Sequence, residues 1–105
     1  MAYIMLQYDR PTDTQHWNEY NRQVRDWIAR LLQLPGAVSF MAYRTAHRES
    51  PDTFTMLESR TMQEAQQASA SEAKKRILDE LRSVGAVARV LLVEQSPFTP
   101  EPILA

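Results

Sequence analysis

The sequence predicts an α+β fold with the order strand–helix–strand–strand–helix–strand. Four short runs of alternating or continuous apolar residues are typical of strands. Two longer segments repeat apolar residues at helical spacing instead, and proline or glycine stands at several boundaries. With 105 residues and 44% hydrophobic content, the chain suits one folded domain with a modest core.

The first strand and the second strand are predicted at residues 3–8 and 37–44. Ile4, Leu6 and Tyr8 share one face of the first strand, because side chains alternate along a strand. In the second strand, apolar residues occupy both faces. One face carries Val38, Phe40 and Ala42, and the other carries Ser39, Met41 and Tyr43.

The first helix is predicted between these strands. Thr12 and Gln15 fit a capping box at its start, and Pro35 with Gly36 ends it. Its apolar stripe consists of Trp17, Tyr20, Val24, Trp27, Ile28, Leu31 and Leu32.

A strand that runs directly into the second helix is predicted at the centre of the chain. The third strand covers residues 53–59, with Phe54, Met56 and Glu58 on one face and Thr55, Leu57 and Ser59 on the other. Thr61 and Glu64 fit a capping box that opens the second helix.

The second helix is expected to break and restart, because a further capping box falls at Ser69 and Glu72. The fourth strand is predicted at residues 87–95 and contains a continuous apolar run. Pro97, Pro100 and Pro102 follow it.

This order of elements is the ferredoxin-like pattern βαββαβ. Right-handed crossovers then place two helices on one face of a four-stranded antiparallel sheet. We therefore expect a single ferredoxin-like α+β domain over residues 1–95 and an extended Pro-rich C-terminal tail over residues 96–105.

The face of the sheet that the helices leave uncovered is also predicted to be apolar. Met5 lies opposite Ile4 and Leu6, and Met41 lies opposite Phe40. An apolar face of this size indicates a partner surface. A second copy is the simplest partner, so we expect a homodimer in which the two sheets close an α/β barrel.

Composition argues against several classes of protein. The net charge of −1, with 12 basic and 13 acidic residues, speaks against a nucleic-acid surface. With no cysteine and two histidines, we expect neither a disulfide nor a metal site. The first residues are too short an apolar run for a signal peptide or a membrane span, so we expect a cytoplasmic protein without a membrane partner.

Three segments resemble those of a known superfamily. They are Leu34-Pro35-Gly36-Ala37-Val38-Ser39-Phe40, Leu57-Glu58-Ser59-Arg60 leading to Glu64-Ala65, and the broken helix around residues 68–76. Together they resemble the dimeric α/β-barrel superfamily, in particular its antibiotic-biosynthesis-monooxygenase-like domains, over nearly the whole chain. Trp17, Tyr20 and the Leu-Pro-Gly-Ala run also look like the related EthD-like domains.

The resemblance implies a homodimer that binds a small aromatic or polyketide-like molecule in the cleft between sheet and helices. It also implies monooxygenase or isomerase-type chemistry that is cofactor-independent, so no cofactor is expected. The chain departs from the pattern at three places. Arg60 stands where an aromatic residue is usual, no histidine occurs near Ser69, and Arg25 replaces the EthD-like histidine.

Glu58 and Arg60 are the candidate catalytic residues. Standing two apart, they would point the same way if the third strand continued through Arg60. In the cleft they could bind and polarise a carbonyl or enol group. An exposed ion pair at the end of a strand is the alternative, worth ~0–1 kcal/mol.

Tyr8, Trp17, Tyr43 and Arg89 are the candidate ligand-binding residues. The three aromatic side chains combine an apolar body with a polar tip and could line a pocket for a flat ligand. Packing in the core or at an interface is the alternative for them. For Arg89 the alternative is a structural ion pair, with Glu58 as the candidate partner.

Three functions remain open. The first is the cofactor-free enzyme, and the second is a non-catalytic dimeric binding or accessory protein of the same fold, which the departures favour. The third is a ferredoxin-like regulatory module, including RNA recognition. RNA recognition needs paired aromatic residues and glycine in the third strand, which has only Phe54 and no glycine. The hypothesis of RNA recognition therefore has the least support.

Overall fold

The computed structural model describes residues 1–105, which form four strands and three helices. The strands are β1 (Ala2–Tyr8), β2 (Ala37–Arg44), β3 (Thr53–Ser59) and β4 (Arg89–Glu94). The helices are α1 (Thr14–Leu31), α2 (Met62–Ser69) and α3 (Glu72–Ser83). All strand pairs are antiparallel, in the order β2-β3-β1-β4. The predicted ferredoxin-like fold is confirmed.

The ends of three elements differ from the prediction. In two helices, a residue one or two positions further along the chain caps the first turn instead. Asp13 rather than Thr12 caps α1, and its carboxylate accepts a hydrogen bond from the main-chain N–H of His16 at 3.1 Å. The break in the second helix is confirmed, but Ser71 caps α3. β4 begins at Arg89, two residues later than predicted.

The core lies between one sheet face and the helices. Along β1 and β3, every second residue is buried, which identifies the covered face. The covered face presents Ile4, Leu6 and Leu57, and α3 contributes Ile77 and Leu81. The predicted stripe of α1 is confirmed as far as Leu31, with Tyr20, Trp27 and Leu31 buried, but Leu32 follows the helix and is exposed.

The helices differ in how closely they approach the sheet. In α2 the buried residues are Ala65 and Ala68, both fully buried, so this helix packs directly on β1. In α1 they are bulky, and the helix packs mainly on α3. A cleft therefore opens between α1 and the β2–β3 side of the sheet.

Gly36 joins the end of the first helical region to β2 through a tight turn. Its φ is +74°, in the left-handed region that favours glycine. Its carbonyl accepts a hydrogen bond from the N–H of Arg60 at 3.0 Å, which ties the turn to the junction of β3 and α2. A Cβ atom at Gly36 would lie 2.5 Å from the Cβ of Glu64.

The uncovered face of the sheet, here called the open face, is largely apolar. Its central row of register partners consists of Met41, Met56, Met5 and Leu91. Met41 and Tyr43 on the edge strand are more than half exposed. None of the three helices is long and apolar enough to cross a membrane.

Candidate functional site

The cleft between α1 and the sheet is the candidate site. Its volume is about 290 Å³ when the open solvent at its mouth is included. The part of this volume that a molecule can occupy is little more than that of one water molecule. The lining residues are Leu6, Tyr8, Val24, Trp27, Ile28, Leu31, Phe40, Thr55, Ile77 and Leu81.

The walls of the cleft follow from strand register and helix spacing. Phe40 lies beside Leu57, and Thr55 lies beside Leu6, in neighbouring rows of the covered face. Val24 and Trp27 stand on the facing side of α1, three residues apart. The result is an apolar slot in which Thr55 and Tyr8 are the lining residues that carry hydroxyl groups.

One end of the cleft holds a pair of buried tyrosines. The hydroxyls of Tyr8 and Tyr20 lie 2.6 Å apart and share one hydrogen bond. Burial raises the pKa of Tyr8, and the neighbouring Tyr20 raises it further. Burial likewise raises the pKa of Tyr20, although the hydrogen bond with Tyr8 opposes the shift. Both hydroxyls therefore stay protonated at neutral pH and act as donors rather than as bases.

Aromatic rings connect this pair to α1. Tyr20 stacks on Trp17 at 6.1 Å between ring centroids and contacts Trp27 at 5.8 Å. The guanidinium of Arg10 lies 5.8 Å from the centre of the Trp17 ring, within the range of a cation–π contact. These contacts fix the ring of Tyr20, and its hydroxyl in turn bonds to Tyr8 at the end of the cleft.

A buried ion pair lies behind the tyrosines. Asp52 Oδ1 accepts hydrogen bonds from the main-chain N–H of Arg10 at 3.0 Å, from Arg10 Nε at 3.3 Å and from Thr53 Oγ1 at 2.8 Å. Arg48 Nη2 reaches Asp52 Oδ2 at 3.4 Å. Burial alone would raise the pKa of Asp52, but the hydrogen bonds from Thr53 and Arg10 and the charge of Arg10 together lower it.

The structure brings two of the predicted ligand-binding residues to this end of the cleft. Tyr8 lines the cleft itself. Trp17 is half-buried and reaches the site through its stacking contact with Tyr20. Their role in binding stays a prediction.

The predicted catalytic residues lie apart from each other and outside the cleft. Glu58 stands on the open face, in a row with Ser39 and Tyr3. β3 ends at Ser59, so the strand does not continue through Arg60. The guanidinium of Arg60 instead donates to Glu64 Oε2 at 2.7 Å on the surface. Neither residue belongs to the wall of the cleft. Their assignment as catalytic residues stays a prediction.

Tyr43 and Arg89 also lie on the open face, at the two outer strands of one row. Arg89 is exposed and makes no ion pair. The suggested pairing of Arg89 with Glu58 is wrong, because the register places them two rows apart with β1 between their strands.

Sequence reasoning missed the residues that make the polar end of the cleft. Tyr20 and Trp27 belonged to the predicted apolar stripe, but nothing local indicated that Tyr20 would bond with Tyr8. The contact between Arg10 and Asp52 spans 42 residues. Periodicity and capping patterns report only on neighbours along the chain, so they carry no signal for such a pair.

The elements define a small ferredoxin-like α+β protein with a cleft beside α1, and this fold is shared by proteins described as antibiotic biosynthesis monooxygenases and as EthD family members. No protein-family model matches the chain, and no curated protein matches its sequence. Solved structures do match, which confirms the predicted resemblance at the level of the fold.

Three of these structures illustrate the match. An EthD family protein from Bacillus halodurans has 18% identity and a TM-score of 0.67, covering 91% of this chain and 99% of its own. A proposed antibiotic biosynthesis monooxygenase from Deinococcus radiodurans has 8% identity and a TM-score of 0.72 over 100% of both chains. SnoaB, a cofactor-independent oxygenase from Streptomyces nogalater, has 13% identity and a TM-score of 0.69, covering 95% and 97%.

Proposed function

We propose that this protein binds a small aromatic or polyketide-like molecule in the cleft between α1 and the sheet. The observation that carries the proposal is the cleft itself, an apolar slot with Tyr8 in its lining, whose hydroxyl stays protonated. An apolar pocket with a few convergent polar groups is the usual form of a small-molecule site. SnoaB, which shares the fold, is described as a cofactor-independent oxygenase.

Binding has more support than chemistry. Glu58 lies on the opposite face of the sheet, and Arg60 pairs with Glu64 outside the cleft. A cofactor-independent oxygenase or isomerase is the second candidate, and one observation favours it. The protonated Tyr8 could donate a hydrogen bond to an enolate oxygen formed in the cleft, where low polarity strengthens such a bond.

A cleft-filling substitution tests the binding proposal. Val24 lines the cleft and is half-buried, so Val24→Phe places a ring in the space that a ligand would occupy. With naphthamide as the probe, titrated by calorimetry, we expect Val24→Phe to weaken binding about tenfold or more. Ala29→Phe is the matched control, because Ala29 is exposed on the same helix. It should leave affinity unchanged.

Amide chemical shifts on adding naphthamide to the unmodified protein provide a second measurement. Shifts that cluster on the cleft-lining residues support the proposal. Shifts confined to the open face, or binding that Val24→Phe leaves intact, contradict it.

We further infer that two copies pair through their open faces. Support comes from the methionine-rich central row and from the exposure of Met41 and Tyr43 on the edge strand. The C-terminal tail adds Phe98, Ile103 and Leu104, each at least 79% exposed. An apolar surface of this kind is typical of a protein interface.

Met41→Glu tests the dimer. Light scattering at micromolar concentration should give twice the chain mass of 12.1 kDa for the unmodified protein. We expect the variant to dissociate at least about tenfold more readily, because a charge buried in an interface is unpaired there. Leu32→Glu, at an exposed apolar residue on the helix side, is the control. A monomer before substitution would contradict the inference.

A further inference from the structure

We propose that the cleft selects aromatic carboxylates, with Tyr8 as hydrogen-bond donor to the carboxylate and Arg44 as its countercharge. The proposal rests on the cleft as the ligand site. It adds the chemical class of the ligand and the residues that recognise it.

The tyrosine pair leaves one O–H group without an acceptor. Tyr8 and Tyr20 bond only to each other through their hydroxyls. Each phenol carries one hydrogen, so one hydroxyl donates to the other. The hydrogen of the accepting hydroxyl points away from the pair. Tyr8 lines the cleft and Tyr20 does not. When Tyr20 donates to Tyr8, the Tyr8 hydrogen is therefore free to meet an oxygen of a ligand.

Arg44 stands at the same end of the cleft. Arg44, Thr53 and Tyr8 are register partners across β2, β3 and β1, so their side chains start from one row of the covered face. The neighbouring row contains Thr55 and Leu6, which line the cleft. Arg44 is exposed and makes no ion pair, and its positive charge acts to lower the pKa of Tyr20.

The other charges at this end neutralise one another. Asp52 would repel an anion, but its carboxylate already binds Arg10 and Arg48. Asp9 accepts hydrogen bonds from the main-chain N–H of Asp52 and from Ser50 Oγ, which direct it towards the loop. The unpaired guanidinium of Arg44 therefore makes this end of the cleft favour a negatively charged group of the ligand.

A pair of probes with the same ring system separates charge from shape. Naphthoate carries a carboxylate, and naphthamide is its neutral counterpart. For the unmodified protein we expect naphthoate to bind about tenfold more tightly by calorimetry. Arg44→Gln should remove that advantage and leave naphthamide affinity within about twofold. The naphthoate preference should also shrink as salt concentration rises.

Arg76→Gln is the matched control. Arg76 is exposed on α3 and makes no ion pair, so its substitution removes one positive charge without changing the row of Arg44, Thr53 and Tyr8. It should change neither affinity. If Arg44→Gln and Arg76→Gln leave the same naphthoate preference, the assignment of Arg44 is overturned.

Tyr8→Phe tests the donor. It deletes one hydroxyl and keeps the ring that lines the cleft, so both probes should bind about fivefold or more weakly. Tyr20→Phe should have the smaller effect, since Tyr8 keeps its O–H. Equal affinities for Tyr8→Phe and the unmodified protein would overturn this part of the proposal.

The two proposals fail in different ways. Binding of both probes with equal affinity, abolished by Val24→Phe, overturns carboxylate selection and keeps the cleft as the site. Binding of neither probe, or binding that Val24→Phe leaves intact, overturns both proposals.

Discussion

Asp52→Asn should lower the free energy of unfolding by about 3–5 kcal/mol, because it removes one partner of a buried ion pair. The side chains of Arg10 and Asp52 are only 8% and 5% exposed. Asparagine keeps the shape but not the charge, so the guanidinium of Arg10 stays buried without its anion. Urea unfolding followed by circular dichroism measures the difference.

Asp26→Asn is the matched control for this substitution. Asp26 forms an ion pair with Arg30 on the surface, where its side chain is 65% exposed. We expect a change within about 1 kcal/mol, the range of exposed pairs. Equal effects of the two substitutions would contradict a special role for the buried pair.

The contribution of Asp52 should also depend on pH with a defined sign. Its pKa in the folded protein lies below the ordinary value of 3.8. The ionised carboxylate therefore stabilises the fold fully above that value, and the stabilisation is lost as pH falls through the folded pKa. The difference between the unmodified protein and Asp52→Asn should be constant near neutral pH and shrink below about pH 4.

Gly36→Ala should lower the free energy of unfolding by about 2–4 kcal/mol, from two causes that add. Alanine at a φ of +74° is strained. Its Cβ would also lie 2.5 Å from the Cβ of Glu64, an atom that moves only with the backbone of α2. Urea unfolding again provides the measurement.

Gly85→Ala separates the two causes. Gly85 has a similar φ of +84°, but a Cβ there would meet its nearest neighbour at 3.8 Å, an ordinary contact. We expect a loss of about 1 kcal/mol from backbone strain alone. If both alanine substitutions lower the free energy of unfolding equally, the contact with Glu64 adds nothing to the cost of Gly36→Ala.

Local patterns identified most of the fold. Alternation along residues 3–8 and the helical stripe from Trp17 to Leu32 depend on neighbours in sequence. Both elements form, and only Leu32 departs from the prediction, since it follows α1 and is exposed. The helix cap at Thr61 is confirmed too, since Thr61 Oγ1 accepts a hydrogen bond from the N–H of Glu64. The helix cap at Thr12 failed because Asp13, one residue later, is an equally good acceptor.

The site was harder to predict because both faces of β3 are chemically similar. Met56 and Leu57 are both apolar, so alternation alone does not say which one meets the helices. The structure buries Leu57 and turns Met56 towards the open face. That choice moves Glu58 out of the cleft, and the end of β3 at Ser59 turns Arg60 towards Glu64.

The sequence by itself determined the order of the elements, the faces of β1 and α1, and the resemblance in fold, since each depends on residues close together in the chain. Only the tertiary structure decided where the cleft lies and what meets at its end. Tyr8 bonds to Tyr20 through the packing of α1, and Arg10 pairs with Asp52 where the neighbouring strands β1 and β3 meet. Such contacts join residues that are distant in sequence, and they exist only once the strands have chosen their register.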